Sequence, residues 1–157
     1  MNNAVASEKD TTLPWHSPQF YRQAHELAAS RVRFSEHQGR RILVVDFSRA
    51  ELELIRAVAA ECLHVMATQP LNSVLSLVET EAIPFSTDAL KIGSELTERA
   101  QAYSLRTAVS GVTGFRSFLL ETIANAARRP IKLFKEREKA LEWLITEQAE
   151  SARASGR

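Results

Sequence analysis

Between a hydrophobic run and an amphipathic one, the chain places Gly111-Val112-Thr113-Gly114, two glycines three positions apart. Such pairs close phosphate-binding loops, in which backbone N–H groups at a helix N-terminus face an anion. A nucleoside triphosphate loop also needs a lysine and then a hydroxyl residue directly after its last glycine, to reach the terminal phosphates and hold magnesium. Here Phe115 and Arg116 follow instead. The dinucleotide fingerprint needs three glycines and an acidic ribose-binding residue about 20 positions further on. This segment has two glycines, and the chain reads "RRPIKLF" there. What remains is a tight strand-to-helix turn with, at most, weak anion binding at the helix start. Gly111 permits a backbone conformation closed to other residues, and Gly114 allows close helix–sheet contact.

Other chemistry-bearing residues lack partners at the right spacing. "VVDFS" ends a strand with Asp46, and Glu79, Ser110 and Lys135 end later ones, where phosphoacceptor receiver domains carry Asp, Ser/Thr and Lys. Asp46 has no acidic neighbour for magnesium, so Asp46 and Ser48 read as caps of the following helix. Ser110 precedes Gly111, but "AVSGV" lacks the first glycine of a nucleophile elbow, and no histidine follows it. His16, His25, His37 and His64 form no H-x-x-x-H pair and none stands at ligand spacing from Cys62. Cys62 itself falls on an apolar helix stripe, as inert packing does. "RRPIK", Arg128 to Lys132, reads as a solvated helix terminus able to touch a phosphate or acidic headgroup. Trp143 reads as half-buried packing. No catalytic residue, metal site or cofactor motif is assigned.

These residues sit in a chain of 157, 45% hydrophobic and 25% charged, enough for one domain with a real core. A net charge of +1 supplies no global field for nucleic acid or an anionic membrane. One cysteine excludes an intramolecular disulfide. No signal-peptide order opens the chain and no apolar run approaches the ~18 residues of a membrane span, so a cytoplasmic location without stable membrane insertion is expected.

The elements that position the candidates follow from periodicity. Residues 1–30 read as a flexible arm with a short helix, capped by Ser17, begun by Pro18, and striped by Phe20, Ala24 and Leu27. Trp15, Phe20 and Tyr21 are more aromatics than a polar arm needs, and are expected to dock on the domain or a second subunit. Residues 31–150 form the domain: a hairpin turning at His37-Gln38-Gly39, then helix and strand alternating to a final helix, "EREKALEWLITEQAE". The helix "GFRSFLLETIANAARR" is expected to turn Phe115, Phe118, Leu119, Thr122, Ile123 and Ala126 inward. Residues 151–157 read as a frayed tail. Single-striped helices joining continuously apolar strands predict an α/β fold, a mixed, mostly parallel sheet of about five strands with helices on both faces.

In order and spacing, "RILVVDFSRAE", "NSVLSLVE", "RTAVSGVTGFRSFLLETI" and "IKLFKEREKALEWL" resemble the bacterial SpoIIAA-like proteins, also labelled STAS-like or STAS/SEC14-domain proteins. The resemblance covers Arg31 to Gln148. It implies a non-catalytic, regulatory module that binds a protein partner, a second copy, a small ligand or a lipid. Ligands of open α/β sheets sit at the carboxyl ends of the strands, which points to Ser48, Thr80, Ser110, Gly111, Thr113 and Gly114. The phosphorylated serine of anti-sigma-factor antagonists would correspond to Ser86 or Thr87 in "PFSTDALKIG", although no acidic residue directly precedes Ser86. Capping by Ser86 is the plainer alternative. A lipid-binding SEC14-like module would have to use a surface groove or a dimer interface.

Overall fold

A computed structural model describes residues 13–84 and 86–155, without the side chains of 115, 116 and 147–155; what was expected of residues 1–12, of 156–157 and of the Phe115 ring lies outside the described residues. Helix α1 (Pro18–Ala28) starts as its sequence dictates, with Ser17 Oγ accepting from Phe20 N–H at 3.1 Å and proline in the first turn. A single 3-10 turn leads into β1 (Val32–His37), which pairs antiparallel with β2 (Arg40–Asp46). Gln38 and Gly39 make the two-residue turn, with φ of 50° and 79°. Positive φ at both positions is what a primed hairpin turn demands. Then follow α2 (Leu52–Met66), β3 (Val74–Glu79), α3 (Thr87–Ala100), β4 (Ser104–Ser110), α4 (Phe115–Ala126), β5 (Ile131–Leu133) and α5 (Arg137–Ser155).

The sheet order is β1-β2-β3-β4-β5, parallel from β2 onward. Sequential order has a strong consequence. Crossovers between parallel strands are right-handed, and three steps taken in one direction put α2, α3 and α4 on the same face. Helix α1 joins them there, so that face buries Phe20, Val32, Leu43, Val45, Ile55, Val58 and Ile92 in one core. Among the described residues the opposite face has α5 alone, with Ala140, Leu141 and Leu144 over Ile42, Val44, Leu75, Leu77 and Ala108.

Helix α2 lies between the sheet and α1, which explains "AVAAEC": Ala57 to Cys62 are all buried. An all-round apolar stretch is the mark of a helix packed on several sides. The expected docking of the N-terminal aromatics is seen, with Trp15 and Phe20 buried in the larger core and Tyr21 packed against it. Leu13, in the stretch read as arm, also lies against this core, and its carbonyl accepts from Arg56 Nη2 at 2.6 Å.

Three local expectations fail. Leu27 is 54% exposed, and Ala28 takes the inward place one turn after Ala24. Asp46 and Ser48 do not cap α2, whose N-cap position is Glu51; instead Asp46 Oδ1 accepts from Ser48 N–H at 2.9 Å in a tight turn closing β2. Helix α4 is rotated from the expected stripe. Phe118 is 68% exposed and Thr122 and Ala126 are exposed, while Leu119, Leu120, Ile123 and Ala124 are half-buried. The reason lies beneath it: β5 is a three-residue edge strand, too little surface for a helix to bury a full stripe. Among the described residues, no helix is long and apolar enough to cross a membrane.

Candidate functional site

At the carboxyl ends of the strands the backbone is knit together. Phe47 N–H donates to Glu79 O at 2.8 Å, Arg49 N–H to Glu81 O at 2.9 Å and Val112 N–H to Phe134 O at 3.1 Å. Thr80 is buried and gives both its amide, at 3.0 Å, and its hydroxyl, at 2.8 Å, to Ser110 O. Gly111 has φ +80°, and a Cβ there would meet Glu81 N at 2.9 Å, so its role is close backbone approach. Ser48 O accepts from Arg31 Nη1 at 2.8 Å. Thr113 and Gly114 are exposed, and Ser110 is buried on the α5 side of the sheet, in register with Glu79. Ser86 is the N-cap of α3, accepting from Ala89 N–H at 3.0 Å, and Thr87 is exposed beside it.

These rim residues do not converge, and topology explains why. Strand-end crevices form where strand order reverses and successive crossovers diverge to opposite faces. A sequential sheet has no such point. Space opens elsewhere, between α3 and α4 on the helical face of the sheet. A groove of about 170 Å³ runs there, floored by Val78, Val109 and Ile131 and walled by Leu90, Leu120 and Ile123. Thr80 and Ser86 line it; Ser48, Ser110, Gly111, Thr113 and Gly114 do not.

The groove's chemistry is uniform. Of the described residues lining it none is ionisable. Its four hydroxyls are already bonded within the protein: Thr80 to Ser110 O, Ser86 to Ala89 N–H, Thr97 to Gly93 O at 2.8 Å, and Thr107 to Ser104 Oγ at 3.3 Å. The wall therefore presents methyl and methylene groups. A smaller space of about 70 Å³ adjoins it across Val78, Leu96, Thr97, Thr107 and Ile131, at the end where α3 stops and β4 begins.

No family model matches this chain, and no curated protein does. Among solved structures, the crystal structure of an uncharacterized protein of the DUF3478 family with a SpoIIAA-like fold, from Shewanella loihica PV-4, matches it with a TM-score of 0.50. The match covers 72% of this chain and 91% of that one at 14% identity. The chain has a SpoIIAA-like fold. The phrases that carried the resemblance map onto that architecture: "RILVVDF" and "NSVLSLVE" build β2 and β3, and "ALEWL" supplies the α5 residues that cover the second face.

Within this SpoIIAA-like frame the groove residues on α3 and α4 are the ones sequence reasoning misses. Two signals were present. "FLL" at 118–120 puts three apolar residues in succession on a helix, more than one stripe can bury. Gly93 sits in the interior of α3, where glycine is unfavourable relative to alanine; it faces α4, and a Cβ there would lie 3.7 Å from Ile123 Cδ1.

A second polar cluster joins α1 to α2. His25 Nδ1 lies 2.5 Å from Oε1 of Glu61, which is 5% exposed, and Tyr21 OH lies 3.0 Å from the same nitrogen. Tyr21 stacks on His64, ring centroids 4.0 Å apart. Among the described residues no three potential ligands gather here or elsewhere as a metal site requires. Burial, with the Glu61 carboxylate adding to it, pushes the neighbouring Cys62 thiol from 9.0 up to about 12. Tyr21 is raised too, by burial first and then by Glu61. Between pH 9.0 and about 12 the unfolded thiol has lost a proton that the folded one keeps. Stability, full below that interval, is therefore expected to fall as pH rises through it, by on the order of a few kcal/mol. Urea unfolding across this range tests the point: Cys62→Ala should lose less stability over the same interval.

Proposed function

We propose that this domain is a non-catalytic binding module whose site is the apolar groove between α3 and α4, on the helical face of the sheet. The observation that carries the reading is the groove itself, an open space above the sheet whose described lining residues include no ionisable side chain and no uncommitted hydroxyl. General acid–base or nucleophilic catalysis needs such groups within hydrogen-bond reach of a substrate. Apolar walls favour an apolar small molecule, held by exclusion of water. The same groove supplies the surface that a lipid-binding SEC14-like domain of this size would need.

Control by phosphorylation at Ser86 or Thr87 has less behind it, because the Ser86 hydroxyl already serves as the cap of α3. A protein partner is a second reading, favoured by Phe118, which α4 leaves exposed on the side turned away from the groove.

Nile red, a neutral apolar dye, tests the proposal. Saturable binding by the full chain, with enhanced emission, is expected. Gly93→Leu projects a side chain into the groove toward Ile123 while improving the helix propensity of α3. It should weaken dye binding several-fold without loss of fold. Equal affinity in the two proteins overturns the reading.

A further inference from the structure

Resting on that reading, the adjoining smaller space says what kind of molecule the groove holds. It differs from the groove in chemistry. Ser76, only 3% exposed, lines it, and its Oγ has no hydrogen-bond partner among the described residues. An uncompensated buried hydroxyl is costly, and it is retained where something else completes it. Arg129 lines the same space. Its hydrogen bonds go to neutral acceptors, Nε to Gln101 O at 3.2 Å and Nη2 to Asn72 Oδ1. Among the described residues no carboxylate pairs with its charge.

The order of these features is linear. The groove begins at Ser86, where α3 starts, and the smaller space ends at Ala100 and Gln101, where α3 stops. A helix of fourteen residues spans about 21 Å. So apolar surface runs beneath α3 through both spaces, with satisfied hydroxyls along the groove and Ser76 and Arg129 lining the smaller space.

We infer that the groove takes an amphipathic carboxylic acid, its chain along α3 between Leu90, Leu120 and Ile123, its carboxylate on Arg129 with Ser76 facing the same space. Guanidinium binds carboxylate through paired N–H donors, and such charge-assisted bonds are roughly twice as strong as neutral ones. An alcohol of the same chain length keeps the apolar contacts and loses the charge.

Displacement of Nile red from the full chain by dodecanoate and by dodecanol tests this. Dodecanoate should displace the dye at about tenfold lower concentration than dodecanol. Arg129→Gln should abolish that preference, with its circular dichroism spectrum showing that the variant remains folded; Arg129→Lys should retain part of it. Equal displacement by acid and alcohol in the unaltered protein, or a preference that survives Arg129→Gln, overturns the head-group assignment alone. Absence of binding by dye, acid and alcohol alike overturns the groove reading and this inference with it.

Discussion

Gly111→Ala is expected to destabilise the domain by roughly 3 kcal/mol, read as a lowered urea midpoint with an unchanged slope. Two costs add. At φ +80° an L-residue sits in the left-handed region, worth about 1–2 kcal/mol. The new methyl would also lie 2.9 Å from Glu81 N and 3.1 Å from Glu81 Cα. Those are backbone atoms, and they cannot move aside cheaply. Arg49 N–H holds Glu81 O, and Thr80, the residue before, is tied twice to Ser110 O. Gly39→Ala is the internal control. Its φ is +79° but nothing lies within 4 Å of its added Cβ, so it should carry the dihedral cost alone. Equal losses at the two sites would mean that the Gly111–Glu81 approach is not tight.

Leu144→Ala should cost about 3–4 kcal/mol in the same measurement. Leu144 is fully buried on α5, the helix over the second face, and shares its cluster with Leu75, Leu77 and Ala108. Removing the buried methyl groups loses their transfer free energy and leaves a cavity that neighbours from one helix cannot close. Trp143 stands at the edge of the same cluster, half-buried, its ring 5.9 Å from that of Phe134. Truncation of Leu144 that left stability unchanged would show that α5 is not held by this cluster.

Much of the architecture is written locally. Ser17-Pro18 and Ser86 announce two helix starts by the chemistry of their caps, and Gln38-Gly39 announces the hairpin by the need for positive φ. The β-branched runs of β2 and β3 announce buried parallel strands, which alternate only weakly when both faces are covered. The site was harder to see because it belongs to no motif. Thr80, expected at a strand end, and Ser86, expected as a phosphoacceptor or helix cap, do line the groove, but Leu90, Gly93, Leu120 and Ile123 meet only through the placing of two helices over a short edge strand. Phe118 shows the same limit. Its helical phase is shared with residues that pack, and only the narrowness of β5 decides which of them lose their cover. Ser76 could not be singled out either, since a serine in a strand reveals a missing partner only when its neighbours are known.

The one-sided arrangement of crossovers also sets a schedule for synthesis. Every strand and the four helices of the first face are encoded before α5, so a chain leaving the ribosome can assemble its sheet while Ile42, Val44, Leu75 and Leu77 still face outward. That bare strip of contiguous aliphatic strands is a surface on which nascent chains adhere to one another or to a chaperone. The segment that seals it is translated after the whole sheet, and the hazard ends only when Leu141 and Leu144 arrive.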